Sequence, residues 1–309
     1  KPSSAASDVY KRQTHLNFVT KQLIMSLISI LMAARKAEAT ILAAIQSILA
    51  QRHKHWELII ASDCGANYLA LCKDNGIMDD RLRMVTTSKP HSGPSAARNV
   101  ALAAARGELI TILDSDDTWL PGKLSILQEL AEQSGLACDN TRAVMPDGTA
   151  MGTAHDGSSL PRNISAIDMI KSGVPHFPMF DRELAGSGYR EDLSFAEDVV
   201  INIELITRAG AMTMSARSLT NYIQNPDSAT NAPDAWLRAD IAYGQILVML
   251  QANELSVQPG EAEPIAAAIA AKRDLNREYG QTVASYGPMS FQAFLATRKF
   301  DAKQPDELG

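Results

Sequence analysis

This sequence predicts an α/β fold: a mostly parallel sheet sandwiched by helices, followed by a helical C-terminal appendage. Three observations carry that expectation. From Ser26 onward short apolar runs alternate with amphipathic stretches, the β-α-β-α order that builds a parallel sheet covered on both faces. One run, residues 109–113, stops abruptly at Asp114, and Asp116 and Asp117 follow at once. Acids clustered at the end of a buried strand belong at the carboxyl edge of a sheet, where open α/β folds place their ligands and where the short loops after each strand gather.

The elements follow in order. Residues 27–32 (LISILM) read as a buried strand, and residues 37–51 as a helix. In that helix Ile41, Leu42, Ile45, Ile48 and Leu49 share one face at the 3.6-residue period. Residues 56–61 (WELIIA) form a second strand ending at Ser62, Asp63 and a Cys-Gly turn. A weaker helix over 68–75 and a third strand over 81–86 come next. The Ser-Gly-Pro-Ser sequence at 92–95 opens an Ala-rich helix over 96–106, stopped by Gly107. Beyond the acidic strand end, residues 124–133 are helical. Residues 138–159, rich in Gly, Asp and Thr, read as a hairpin or mobile loop. Residues 167–171 and 196–208 read as helices, and the Ala-rich chain after Trp236 as two or three more. The expected organisation is a domain over 25–232 and a helical appendage over 233–309, with no internal repeat.

Bulk properties narrow the function. At 309 residues the chain can bury a large core, and its 46% hydrophobic and 21% charged content is that of a water-soluble globular protein. A net charge of -6 argues against nucleic acid as a partner, since a phosphate backbone needs a basic face. Cys64, Cys72 and Cys138 cannot all pair and fit no zinc spacing, so thiols in a reducing compartment are expected, and the chain reads as cytoplasmic. No apolar stretch reaches membrane-spanning length; residues 23–34 are interrupted by serines and too short. The opening KPSSAASDVYKRQ is polar and patternless and resembles adapter-derived read-through. Residues 1–24 are therefore set aside as a leader, with Met25 the expected native start.

The acid cluster carries the chemistry. Three carboxylates this close repel one another unless a cation or a donor-rich partner compensates them. Mg²⁺ and Mn²⁺ take such oxygen ligands and share them with substrate phosphates. The alternative is a solvated acidic turn capping the next helix, since acids and Thr118 ahead of Pro121-Gly122-Lys123 are also ordinary helix-start chemistry.

Four ordered segments resemble the family 2 inverting glycosyltransferases of the GT-A fold, over Ser26 to about Thr230. SILMAARKAEATILAAIQSILAQ (29–51) resembles the family's opening strand and helix, and WELIIASDCG (56–65) its second strand. SGPSAARNVALAAARGELITILDSDDTWLPGKL (92–124) carries the most specific likeness. SGYREDLSFAEDVVINIEL (187–205) resembles the later segment with a Glu-Asp pair at a helix start. The resemblance implies that Asp63 accepts a hydrogen bond from a nucleotide base and that Arg98 faces the donor. It implies that Asp114 contacts the ribose and Asp116 binds a divalent metal, Mn²⁺ or Mg²⁺, bridging the donor's two phosphates, with Asp117 in support. Asp198 is implied as the general base that takes the acceptor hydroxyl's proton, with Glu197 shaping the loop or positioning the acceptor. The implied partners are a nucleotide-sugar donor and a glycan or lipid-linked acceptor, in the setting of polysaccharide biosynthesis. The C-terminal helices are candidates for homodimer or peripheral membrane contact.

Each assignment has a plainer counterpart. Asp63 also suits a capping role in a tight turn, Arg98 an ion pair with Asp114 or Asp116, and Glu197 and Asp198 a helix start favoured by the macrodipole. The chain also departs from the family pattern. Ala33-Ala34-Arg35-Lys36 replaces the usual Pro-x-Tyr-Asn, leaving Arg35 to stack where an aromatic is common. Ser62 stands where Asp is common, and in LTNYIQNPDSATN (219–231) Asn225 occupies the position of a His that often completes the metal site. His53 and His55 are expected at the surface, and His155 and His176 in surface or structural roles near the acceptor region. Trp119 and Trp236 are expected as core anchors, with Phe177 and Pro178 as candidate acceptor-pocket lining.

DSDDT also satisfies a haloacid-dehalogenase-type phosphatase motif, but three strand–helix units precede it and no later G-D-x-x-x-D follows. The glycine-free MAARKAEAT lacks the loop a nucleotidyltransferase or dinucleotide-binding protein needs. The remaining alternative is a catalytically inactive module of the same fold that binds nucleotide or glycan.

Overall fold

A computed structural model of the chain describes residues 26–155, 161–225, 228 and 230–301. Residues 1–25, including the candidate leader and Met25, lie outside the described residues, as do 156–160 of the 138–159 segment.

The first half follows the expected alternation. Strand β1 (Ile28–Ala34) leads to α1 (Ile41–Leu49), β2 (Trp56–Ser62), α2 (Tyr68–Asp74), β3 (Leu82–Thr86), α3 (Pro94–Ala104) and β4 (Leu109–Ile112). These strands pair in parallel in the order β3-β2-β1-β4. Period-2 alternation divides their side chains between two cores. Ile28, Ile30 and Met32 of β1 join Leu58 and Ile60 under α1, which presents Ile41, Ala44, Ile45 and Ile48. Leu31, Ile59, Ile110 and Ile112 face the other way, onto Ala97 and Ala101 of α3. The Ala-rich composition of α3 has a packing reason: small side chains let this helix lie close to the sheet.

Gly107 has a different role from the expected stop signal. Helix α3 ends at Ala104, and Ala105 is already extended at φ -66, ψ 144. A Cβ on Gly107 would sit 2.3 Å from the Leu27 carbonyl oxygen, so Gly107 is what allows the chain to pass β1 closely before β4 begins.

The second half is mixed. After β5 (Thr118–Trp119) and α4 (Lys123–Ser134) come β6 (Leu136–Cys138), β7 (Arg142–Val144), β8 (Ala150–Thr153) and β9 (Arg162–Ile164). Helix α5 (Ala166–Lys171), β10 (Met179–Asp181), α6 (Glu197–Ala209), β11 (Met212–Met214) and β12 (Thr220–Ile223) follow. The large sheet runs β3-β2-β1-β4-β10-β6-β11-β9, with β10 antiparallel to both neighbours. A small sheet, β5-β12-β7-β8, stands beside it and contains the expected hairpin as β7–β8. Buried Lys123 pins the two sheets together, donating to Asp139 Oδ1 and Thr220 Oγ1.

Three helices close the chain: α7 (Ala235–Gln251), α8 (Ala262–Tyr286) and α9 (Phe291–Asp301). Ala239, Ala242, Tyr243 and Ile246 of α7 and Ile265 and Ile269 of α8 belong to the same apolar cluster as Val200 and Ile203 of α6. That cluster is continuous across residue 232. No helix among the described residues is long and apolar enough to cross a membrane. The cysteines are free, Cys72 and Cys138 buried and Cys64 partly exposed. His53, expected at the surface, is buried with Nε2 3.1 Å from the His55 carbonyl oxygen.

Candidate active site

The acid cluster occupies the turn between β4 and β5, closed by the Asp117 N–H donating to the Asp114 carbonyl oxygen at 3.2 Å. It caps no helix, because α4 begins after Gly122 with no acid in its first turn. Asp114 Oδ1 accepts from Arg98 Nη2 at 2.8 Å. Burial, then the charge of Asp114, pushes the Asp116 carboxyl up to about 6. Asp117 is fully buried. Its Oδ1 accepts from the Ile223 N–H at 2.8 Å, whereas its Oδ2 has no hydrogen-bond partner. Burial and the charges of Asp116 and Asp114 hold its carboxyl well above the usual range.

An under-compensated set of hard oxygen donors suits a hard divalent cation. Among the described residues no three His, Cys, Asp or Glu side chains gather as a ligand set. Mg²⁺ or Mn²⁺ sharing its shell with substrate phosphates needs only one or two carboxylates, and Asp116 and the orphan oxygen of Asp117 are the ones this turn could supply.

Arg98, on α3, joins this turn to the start of α6. Its Nη1 donates to Glu197 Oε1 at 2.8 Å while Nη2 holds Asp114, and its Nε is buried without a partner. Burial works against its charge, and the carboxylates of Asp114 and Glu197 override that penalty. The Tyr189 ring centroid lies 5.3 Å from the guanidinium. Asp198 follows Glu197 in the first turn of α6, after Ala196 in the left-handed region at φ 59. Burial, then the neighbouring Glu197, raises the Asp198 carboxyl to about 6.

Asp198 lines a cavity of about 160 Å³. Its other walls come from the loop after α5, from Tyr222 of β12 and from all three C-terminal helices, with Trp236, Tyr243, Lys272 and Tyr279 among them. Trp236, expected as a core anchor, is half-buried here against Gly280, where a Cβ would sit 2.4 Å from its ring. Trp119 is a core residue as expected. His176 lines the cavity with Nε2 2.9 Å from His155 Nε2. Burial, then His155, takes its imidazole down to about 3. Phe177 is buried next to Tyr222, and neither it nor Pro178 is among the lining residues.

Asp63, after β2, reaches across to the entry of α3. Its Oδ1 accepts from Ser92 N at 2.8 Å and Thr87 Oγ1 at 2.9 Å, and its Oδ2 from Gly93 N at 3.0 Å. A carboxylate offers about four acceptor sites, so three internal donors leave about one. Arg35 is exposed just past β1. Asn225 lies two residues beyond Ile223, the partner of Asp117, and its carbonyl oxygen accepts from Asn231 Nδ2 at 2.8 Å.

The family model for glycosyl transferase family 2 matches residues 29–187, half of the chain, including Asp63, Arg98 and the acidic turn. The chain belongs to glycosyl transferase family 2. Among its relatives, the succinoglycan biosynthesis protein ExoO of Rhizobium meliloti is 30% identical over 203 residues, 62% of this chain and 57% of that one. The putative teichuronic acid biosynthesis glycosyltransferase TuaG of Bacillus subtilis is 27% identical over 187 residues, 59% of this chain and 73% of that one. The β-1,3-glucosyltransferase WfgD of Escherichia coli is 38% identical over 100 residues, 32% of this chain and 39% of that one. The chain thus spans about half the length of the first of these relatives and less of WfgD. The crystal structure of S. aureus TarS 1-349 in complex with UDP superposes with a TM-score of 0.59 at 16% identity, covering 91% of this chain and 76% of that one. This likeness shows the shared GT-A fold.

Sequence reasoning for a family 2 chain found the acids and Arg98. It missed Tyr189 beside Arg98, the ion pair between Arg98 and Glu197, and Lys272 and Asn202 in the cavity wall. Asn202 sits in the quoted 187–205 segment one helical turn beyond Asp198, and that spacing was the available signal. Nothing in the pattern of α8 marks Lys272.

Proposed function

We propose that this protein is an inverting hexosyltransferase that moves a sugar from a nucleotide-diphosphate donor to a glycan or lipid-linked acceptor in polysaccharide biosynthesis. The observation that carries the reading is the placement of Asp198. It stands on the wall of a cavity, and Arg98 ties its neighbour Glu197 to the acidic turn. UDP-sugars are the donors to try first, because TarS structures are titled as complexes with UDP and UDP-GlcNAc and WfgD is named for UDP-Glc. Three free thiols fit the cytoplasmic setting of this reading. Residues 25–232 act as the transferase unit, with 233–309 as the helical appendage.

In the reaction, an acceptor hydroxyl gives its proton to the Asp198 carboxylate as its oxygen attacks the anomeric carbon. The bond from that carbon to the diphosphate breaks, its electron pair leaves with the nucleoside diphosphate, and the configuration inverts. A carboxyl raised to about 6 is still ionised at neutral pH and more basic than an ordinary aspartate. Asp116, supported by Asp117 and the side-chain oxygen of Asn225, would hold Mg²⁺ or Mn²⁺, which supplies positive charge to the departing diphosphate. Asp114 takes the ribose, Asp63 offers its remaining acceptor site to the base, and Arg35 stacks its guanidinium plane on it. Arg98 balances the carboxylates on either side and fixes the distance between the donor turn and α6.

The test is Asp198→Asn. Transfer from the preferred UDP-sugar is expected to fall by about 10²–10⁴-fold while UDP still raises the melting temperature in the presence of Mn²⁺. Unchanged transfer would remove Asp198 as the base. UDP stabilisation with no transfer by the wild type to any acceptor would favour the binding-module reading.

A further inference from the structure

The cavity beside Asp198 contains a cation with no carboxylate bonded to it among the described residues. Lys272, on α8, is the only Lys or Arg among the described lining residues. Its Nζ donates to the Ile170 carbonyl oxygen at 2.7 Å and to the Ser172 carbonyl oxygen at 2.5 Å. An ammonium has three donors, so one N–H remains. It forms no ion pair with a carboxylate among the described residues; Asp198 is the acid whose charge reaches it through space. Desolvation brings the ammonium down to about 8. An ammonium held by two neutral carbonyls, with no carboxylate bonded to it among the described residues, has its remaining N–H open to an anion.

Two more polar atoms in the same wall lack partners: His176 Nδ1 and Asn202 Oδ1, both buried. Trp236, Tyr243 and Tyr279 add aromatic surface suited to the apolar face of a sugar ring. The cavity therefore combines surface for a ring, the proposed base and one cation with an N–H left over.

We propose that this cavity is the acceptor subsite and selects acceptors bearing an oxyanion, a phosphate or a carboxylate, which pairs with Lys272 while a hydroxyl of the same molecule reaches Asp198. The proposal rests on the reading of Asp198 as the base. It extends that reading by giving the acceptor a charge and by assigning its recognition to α7 and α8, beyond the matched family segment.

The experiment uses the full chain with UDP and Mn²⁺ at saturation, so that the donor site is filled. Methyl glucoside, methyl glucuronide and glucose 1-phosphate are titrated separately by calorimetry. At least one anionic probe is expected to bind ten-fold or more tightly than methyl glucoside, and the stronger of the two tells carboxylate from phosphate. Lys272→Met is expected to erase the preference and Lys272→Arg to keep it. Equal binding of all three probes by the wild type, a comparison that needs no variant, would overturn the proposal. So would a preference that survives in Lys272→Met. Asp198→Asn separates the two readings. An anion preference alongside full transfer by Asp198→Asn would overturn the acceptor assignment and leave an anion site. Equal probe binding alongside an inactive Asp198→Asn would overturn the anion selection and leave the base.

Discussion

At the amino edge of the parallel strands, Glu57 accepts from Ser29 Oγ at 2.8 Å, from Arg83 Nη1 at 2.6 Å and from the Arg106 N–H at 2.7 Å. At the carboxyl edge of the same strands, Asp117 has one oxygen without a partner and Asp116 stands beside two other acids. Burial acts on both edges in the same direction. At Glu57 the hydrogen bonds outweigh it and the carboxyl falls below its usual range, whereas at Asp116 the charge of Asp114 adds to it and the carboxyl rises. The amino edge spends its polar groups on holding the strands together. The carboxyl edge leaves its electrostatics incomplete, the condition of a surface built to receive a charged ligand.

This contrast can be broken experimentally, and the largest effect belongs to the residue that limits it. Arg98→Met removes the guanidinium shared by Asp114 and Glu197 and leaves two acids without their partner. A loss of about 3–5 kcal/mol in urea unfolding is expected. At the amino edge, Glu57→Gln should cost about 1–3 kcal/mol, because a neutral amide oxygen replaces a charged acceptor for several donors. At the carboxyl edge the same acid-to-amide change should reverse sign. Asp116→Asn is expected to gain on the order of 1–2 kcal/mol at pH 7, read from its thermal midpoint; a loss there would erase the distinction between the edges.

The smallest effect is a matter of pH. A carboxyl raised from its ordinary value to about 6 binds more protons in the folded state. Its contribution to stability is therefore present at low pH and lost as pH rises from about 4 to about 6. Asp116→Asn should flatten that part of the stability profile. For transfer the direction is opposite, because Asp198 as the proposed base must be ionised to act: kcat/KM is expected to rise through about pH 6 and level above it. A flat profile across pH 5–7 would detach Asp198 from the chemistry.

The parallel half of the fold was legible because each unit announces itself locally, through an apolar run, a 3.6-residue stripe and a turn. Of the small sheet only the β7–β8 hairpin was, since β5 has two residues and pairs with β12 far along the chain. Strands that short carry no period. The acidic turn was visible because charge interrupts an apolar run. The Arg98–Glu197 ion pair, 99 residues apart, exists only after folding, although both residues were singled out separately. His53 was misread because a polar residue in a loop looks exposed, and only the chain around it shows that it is covered. Lys272 was invisible for a related reason: a lysine in a charged, Ala-rich helix is ordinary until the helix packs over a cavity.

Glu197 and Asp198 are consecutive, yet Glu197 bonds through Arg98 toward the acidic turn and Asp198 lines the cavity. The partition between these two compartments is therefore a single residue thick at the first turn of α6. Each residue turns an α-helix by about 100°, so inserting one residue ahead of Glu197 would carry Glu197 to the cavity position and Asp198 past it, and deleting one would carry Asp198 to the position that faces Arg98. The chain would keep both acids and lose their division of labour, a lesion that composition would not reveal and that a simple count of conserved carboxylates would miss.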